Sequence, residues 1–248
     1  MIRRAIGLLV TLALGLLVAP LAAEAQPPTH VHRIGYLLGT TRAQEPLLEA
    51  FLEGMRALGY VEGQNLVMEY RAAEGQYERL PTLAAELVRL KVDVLLVVIT
   101  PAALAAKDAT TTIPIVMVGV GDPVESGLVA SLARPGGNIT GLSVRVPELV
   151  GKQLEFLKDV LPTVSRVAIL WNPTNPTHVL MVREADVAAQ RLGVQLHRVE
   201  ARSPDAFDSA FAAMTKSECM RFVHSRGDFD SLRRSHSLDR RGHRGCIV

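Results

Sequence analysis

Apolar residues along this chain follow two patterns that alternate in a regular order. Residues 92–99 and 113–118 are continuous apolar runs rich in β-branched side chains, which is typical of strands buried on both faces of a parallel sheet. A short helix is predicted between them, with Thr100 capping its first turn and Pro101 at its first position. Strand, crossover helix and strand together predict a parallel βαβ unit.

The same alternation continues on both sides of this unit. Before it, Leu47, Phe51 and Leu58 are expected on one helical face, and a 3.6-residue stripe from Leu80 to Val88 predicts a second helix. The other predicted strands cover residues 31–38, 65–71, 139–144, 166–171 and 195–201. Four further helices are predicted. The first covers residues 126–133, the second begins at Pro147, the third ends at Leu192 and the fourth begins at Ser203. This order predicts an α/β fold built on doubly wound parallel sheets.

The order of strands and helices begins again after Arg134–Asn138, a sequence that breaks the preceding pattern. We therefore predict an N-terminal α/β lobe over residues 26–138 and a partial second α/β lobe over residues 139–216. Both lobes are expected to be Rossmann-like. The second is expected to be incomplete, because its last predicted helix should lead into another buried strand.

Residues 217–248 differ abruptly in composition from the rest of the chain. They contain 7 arginines, 3 of the 7 histidines and both cysteines, with no apolar run longer than two residues before Cys246. Two interpretations stand: a basic disordered tail that binds nucleic acid or anionic lipid, or the aberrant end of a truncated or frameshifted lobe. We prefer the second, because the segment interrupts the lobe where a strand is due.

Residues 1–25 predict a secretory signal peptide that is removed from the mature protein. Arg3 and Arg4 precede an apolar stretch, and Ala23-Glu24-Ala25 has the small residues of a cleavage site. The stretch is shorter than the roughly 20 residues of a membrane-spanning helix. Because no cysteine follows the cleavage site, we expect a periplasmic or otherwise exported protein that is not a lipoprotein.

The carboxyl ends of the predicted parallel strands are where open α/β sheets bind ligands. In the first lobe these ends carry Gly39 and Thr40, the helix start Thr100-Pro101-Ala102, and the turn at Gly121 and Asp122. The helix start is expected to offer backbone N–H groups to a carboxylate or phosphate, and Asp122 to accept a cationic group such as an ammonium. In the second lobe the equivalent position carries Trp171, Asn172, Thr174 and Asn175.

Several of these residues also have a purely structural interpretation. Thr100 and Pro101 suit an ordinary helix start, and Asp122 suits an Asx turn. A single tryptophan on a strand, such as Trp171, is commonly part of the core. The sequence alone leaves these alternatives open.

Signatures of catalysis and of cofactor binding are sparse. Gly119-Val-Gly121 is followed by Asp122 and Pro123, where a dinucleotide loop needs free N–H groups and no negative charge. The histidines and cysteines lack metal-ligand spacing, and the chain has neither a Walker loop nor a Gly-x-Ser-x-Gly elbow. We therefore expect no catalysis, cofactor or metal, and the formal net charge of +2 gives no reason to expect nucleic acid.

Several long motifs occur in the order found in a known family. They include Leu58-Gly-Tyr-Val-Glu-Gly-Gln-Asn65, Thr111-Thr-Ile-Pro-Ile-Val116, Gly121-Asp-Pro-Val124, Gly127-Leu-Val-Ala-Ser-Leu-Ala-Arg-Pro-Gly-Gly-Asn-Ile-Thr-Gly141 and Leu170-Trp-Asn-Pro173. The chain resembles the ABC transporter substrate-binding proteins of the tryptophan/tyrosine type over about residues 33–214. The resemblance implies a periplasmic-binding-protein type I fold, whose two lobes close on a small ligand. Members typically continue further, and this chain departs from them at about Lys216.

The function implied by the resemblance is that of an exported solute-binding protein. Such a protein captures a small molecule, here an amino acid or related carboxylate, and presents it to an ABC permease at the membrane without chemistry. A monomer is expected. Two alternatives remain: an α/β enzyme acting on a nucleotide or sugar phosphate, and a non-functional truncated remnant.

Overall fold

Two parallel sheets organise the protein. The computed structural model describes residues 31–41, 47–216, 221–224 and 246–247. The strands of the first sheet are β1 (His32–Leu38), β2 (Leu66–Ala72), β3 (Val94–Val98), β4 (Ile115–Gly121) and β5 (Ile139–Val144). All pair in parallel, in the order β2-β1-β3-β4-β5. The predicted central βαβ unit is confirmed, with α3 (Thr100–Ala109) as its crossover helix.

Helices cover both faces of the first sheet because alternate strand residues point to opposite faces. On one face, Leu37, Leu95 and Val97 pack with α2 (Leu80–Arg89) and α3. On the other, Tyr36 and Leu96 pack with α1 (Leu48–Ala57). The predicted stripe of α2 is confirmed, since Leu80, Leu83, Ala84 and Leu87 are all buried.

The second sheet contains β6 (Arg166–Trp171), β7 (Gln195–Glu200), β8 (Arg221–His224) and β9 (Cys246–Ile247), in the order β7-β6-β8-β9. Its described strands also pair in parallel. One face packs on α4 (Val146–Val160) and α5 (Pro176–Leu192), and the other on α6 (Phe207–Lys216). The predicted α/β class is thus confirmed, with a doubly wound parallel sheet in each half.

Two predictions about local structure are wrong. Residues 126–133 form turns instead of a helix, because Gly127 has a φ of 72° and the N–H of Leu128 donates to the carbonyl of Pro123. On α1, Leu47 and Leu58 are 57% and 75% exposed, since both lie outside the helix ends. The buried face of α1 carries Leu48 and Leu52 instead.

The sheet pairing also differs from two predictions about the second lobe. A boundary at residue 138 assigns β5 to that lobe, whereas β5 pairs with β4 in the first sheet. The tail predicted over residues 217–248 contains a strand at residues 221–224, where β8 pairs with β6. The predicted signal peptide and most of the predicted basic tail lie outside the described residues.

Candidate functional site

The turn from β3 into α3 brings Thr100 to the carboxyl edge of the first sheet. It is made by Ile99, whose φ of 73° is unusual for a β-branched residue. Gly39 leaves room for this side chain: a Cβ on Gly39 would lie 2.2 Å from Ile99 Cδ1. Gly39 therefore has a packing role at the predicted site, and Thr40 beside it is half-buried.

Thr100 does not cap α3 as predicted. It is the first residue of the helix and makes no capping hydrogen bond with its side chain. Instead, its Oγ1 accepts from the backbone N–H of Gly121 at 3.2 Å and shares a hydrogen bond with Thr177 Oγ1 at 2.7 Å. Thr100, Pro101 and Ala102 are all buried in this arrangement, so the helix start faces protein and not solvent.

The loop from β6 into α5 is held by its own polar side chains. Asn172 Oδ1 accepts from the N–H and hydroxyl of Thr174, and its Nδ2 donates to the carbonyl of Arg202. The N–H of Asn172 donates to Nδ1 of the buried His178. Asn175 caps α5 by accepting from the N–H of Thr177 at 3.0 Å. These bonds fix the loop that positions Thr177.

Thr177 joins α5 to the carboxyl end of the first sheet, through its hydrogen bond to Thr100 and its contact with Gly121. A Cβ added to Gly121 would lie 2.3 Å from Thr177 Cγ2, so the contact depends on a glycine at the end of β4. Thr177 lies two residues after Asn175, so the contact with the predicted first-lobe residues Thr100 and Gly121 is made from just beyond the 172–175 loop. The prediction did not include Thr177 itself.

A cavity of about 400 Å³ lies beside this contact, within the usual range for small-molecule sites. It is bounded by the turn after β4, the end of β5, the start of α4 and the middle of α5. Its polar lining comes from Asp122, Glu125, Ser143, Arg145, Glu148, Arg183 and Glu184, and its apolar lining from Pro123, Val124, Leu132, Val144, Pro147 and Leu180. Carboxylates therefore outnumber guanidinium groups by four to two.

Three of the cavity's charged residues already have partners. Asp122 has a φ of 31°, and its Oδ1 accepts from the N–H groups of Val124 and Glu125, which is the Asx turn that the sequence left open. Arg145 donates from Nε to Glu148 Oε2 at 2.7 Å and from a second nitrogen to Oε1. Its pKa is raised by the hydrogen bond to Glu148 and by the negative charge of Glu148, with a smaller contribution from Asp122.

Trp171 ends β6 and packs partly buried against the cluster formed by α4 and α5. Its indole Nε1 is buried, and no acceptor among the described residues lies within hydrogen-bonding distance. Trp171 is not among the residues that line the cavity. No group of three or more histidine, cysteine or acidic side chains in the described ranges is arranged to hold a metal ion.

The prediction did not include Thr177, Arg145 or Arg183. For Arg145 a signal existed, because it directly follows β5 and carboxyl ends of parallel strands bind ligands. Thr177 and Arg183 lie within α5, one in its first turn and one near its middle. Nothing in the local sequence marks the face of α5 that turns toward the first lobe.

The sequence model of one protein family, described as ABC transporter substrate binding protein, matches residues 43–224. The chain belongs to this family. A curated relative, the tyrosine-binding protein of Clostridioides difficile, is 33% identical over 134 residues, which are 54% of this chain and 38% of that protein. The ABC substrate-binding chain described here thus spans well under half the length of that relative.

Two crystal structures resemble this ABC substrate-binding chain closely. A conserved domain protein from Vibrio cholerae has a TM-score of 0.72 and 31% identity, covering 78% of this chain and 64% of the other. The ABC domain from Streptococcus pneumoniae in complex with L-Trp has a TM-score of 0.70 and 24% identity, covering 79% and 65%. The fold is therefore that of the type I periplasmic binding proteins, as the motifs implied.

Proposed function

We propose that this chain is the exported solute-binding component of an ABC importer. It binds an amino acid or related carboxylate between its two lobes and presents it to a permease at the membrane, as a monomer and without chemistry. We place the boundary between the lobes after Val144, since β5 pairs with the first sheet. Among the described residues, no helix is long and apolar enough to cross a membrane.

The observation that carries this proposal is the cavity of about 400 Å³. Asp122 and Val144 line it from the first sheet's carboxyl edge, while Leu180 and Arg183 line it from α5. A ligand held there touches both lobes, so its binding free energy favours the closed arrangement over an open one. Lobe closure is the signal of occupancy that a transporter needs from its binding protein.

The predicted site residues keep their proposed roles, and Thr177 is added to them. The Thr177 hydroxyl takes the hydrogen-bonding position on Thr100 that a ligand's anionic group would take. We expect the lobes to open at this contact, which frees the helix start at Thr100, Pro101 and Ala102. The ligand's ammonium then lies near Asp122, and Gly39, Thr40, Gly121, Trp171, Asn172, Thr174 and Asn175 shape the surrounding walls.

Thermal-shift measurements on the full chain test the proposal. Amino acids, benzoate, NAD and ATP would be compared over a range of concentrations, since a ligand that binds the native state raises the unfolding temperature as its concentration rises. We expect stabilisation by at least one amino acid or aromatic carboxylate. Stabilisation by NAD or ATP alone would support the enzyme alternative instead, and a chain without a cooperative unfolding transition would support the remnant.

A further inference from the structure

One face of α5 runs from the contact between the lobes into the cavity. Thr177, Leu180 and Glu184 are spaced by three and then four residues, so they lie on the same side of the helix, with Arg183 beside them. Thr177 touches Gly121, and Leu180, Arg183 and Glu184 line the cavity. The face of α5 that contacts the first lobe at Thr177 therefore also carries residues that line the cavity.

Arg183 differs from the other guanidinium group of the cavity. Arg145 donates hydrogen bonds to both carboxylate oxygens of Glu148. An incoming anion must therefore break this ion pair to reach Arg145. Arg183 is exposed and makes no hydrogen bond or ion pair with any described residue. Within the described part of the cavity lining, it is the cation available to a new anionic partner.

The carboxylates around Arg183 restrict what that partner can be. Asp122 and Glu184 line the cavity from opposite lobes, and Glu125 adds a third negative charge that has no side-chain partner in the described ranges. A phosphate or dicarboxylate is disfavoured by these charges. A ligand with one carboxylate and one ammonium group meets both signs of charge, because guanidinium binds carboxylate with two parallel hydrogen bonds and carboxylates bind ammonium.

Apart from Ser143, the rest of the lining is apolar, and it determines which ligand side chains fit. Leu132 and Val144 come from the first lobe, and Pro147 and Leu180 from α4 and α5. Leu132 is 66% exposed and Val144 is 39% exposed, so both offer apolar surface that a ligand can cover. An α-amino acid with an apolar or aromatic side chain satisfies the charged and apolar parts together.

We infer that Arg183 binds the ligand's carboxylate in this cavity, as a charged partner in addition to the Thr100 helix start, and so selects amino acids over the corresponding amines. The inference rests on the proposed function, because it assigns a role within the same ligand site. It adds a specificity-determining residue to that site.

Titration calorimetry on the full chain tests the role of Arg183. The probes are L-tyrosine and L-tryptophan, with tyramine and tryptamine as the same molecules lacking the carboxylate. We expect the wild-type chain to prefer the amino acids by about tenfold or more, the usual effect of a charge-assisted pair. Arg183→Gln should remove this preference by weakening amino-acid binding, while amine binding changes little.

Arg191→Gln is the matched control, because Arg191 is an exposed arginine on the same helix that does not line the cavity. It should behave as wild type. An Arg183→Gln chain that keeps the preference, or loses no more affinity than Arg191→Gln, overturns the role of Arg183 alone. A wild-type chain that binds none of the four probes and no benzoate overturns the proposed function as well.

Discussion

Thr100 and Thr177 are 77 residues apart in the sequence, and their hydroxyl groups share a hydrogen bond of 2.7 Å. Thr100 begins the helix that follows β3, and Thr177 lies in the first turn of α5. Both side chains are buried. The bond therefore joins the two lobes at the carboxyl edge of the first sheet, where ligands of this fold class bind.

Replacing Gly121 by alanine should force this contact apart. The new Cβ would lie 2.3 Å from Thr177 Cγ2, and we expect a loss of about 1–3 kcal/mol in the free energy of unfolding, as is usual for overpacking. Thr177→Ala removes the two closest atoms, Cγ2 and Oγ1, so Gly121→Ala with Thr177→Ala should recover most of the loss. Urea denaturation of both single variants and the double variant measures this coupling. Additive losses in the double variant would contradict it.

A second glycine is required by the pairing of β4 with β5. Gly141 has a φ of 139°, and a Cβ there would lie 2.0 Å from the backbone oxygen of Met117. Because backbone cannot rotate away, we expect Gly141→Ala to cost about 3 kcal/mol or more. Gly54→Ala is the control, since Gly54 lies within α1 and its added Cβ meets nothing within 4 Å.

The control substitution, Gly54→Ala, should change the free energy of unfolding in the opposite direction. Alanine at an exposed helical position is favoured over glycine by about 0.5–1 kcal/mol, so Gly54→Ala should raise the midpoint of chemical denaturation. Equal effects of the two substitutions would show that β5 does not hold the position described.

Asn175 should contribute to stability through its cap on α5. Its Oδ1 accepts from the N–H of Thr177, and Asn175→Ala should cost about 0.5–2 kcal/mol, as loss of a cap usually does. Asn175→Ser keeps an acceptor of good capping propensity and should lose less. Thermal unfolding followed by circular dichroism compares the two, and equal losses would assign the effect to packing alone.

Asp122→Asn should distinguish the role of Asp122 in the Asx turn from its proposed role in ligand binding. Asparagine also accepts N–H groups and tolerates positive φ, so the bonds from Val124 and Glu125 should persist and stability should change little. The negative charge is lost, and we expect affinity for the amino acid to fall about fivefold or more, as for loss of a charged partner. Calorimetry at fixed pH measures this change, and unchanged affinity would remove Asp122 from the ammonium site.

Local patterns were sufficient for most of the helices and strands. The stripe of α2 and the stop of α5 at Gly193, which has a φ of 64°, follow from spacing and residue type within a few positions. The helix expected at residues 126–133 failed because Leu128 and Val129 are buried without helical geometry. An apolar stretch shows that residues are buried, but not by which backbone path.

The candidate site was predicted only in part. The strand-end rule located Thr100, Gly121 and Asp122, which the structure places at the contact between the lobes or in the cavity. It did not show that Thr100 bonds to Thr177 instead of capping its own helix. A side chain's partner depends on which distant residues approach it, and the adjacent sequence does not encode that approach.

The sequence by itself determined the α/β order, the family and the strand ends at which we place the candidate site, because hydrophobic period, turn residues and motifs are local properties of the chain. Only the tertiary structure decided that β5 joins the first sheet, that Thr177 packs against Gly121, and that Arg183 lines a cavity. These depend on the packing of α5 against a sheet that lies far from it in sequence.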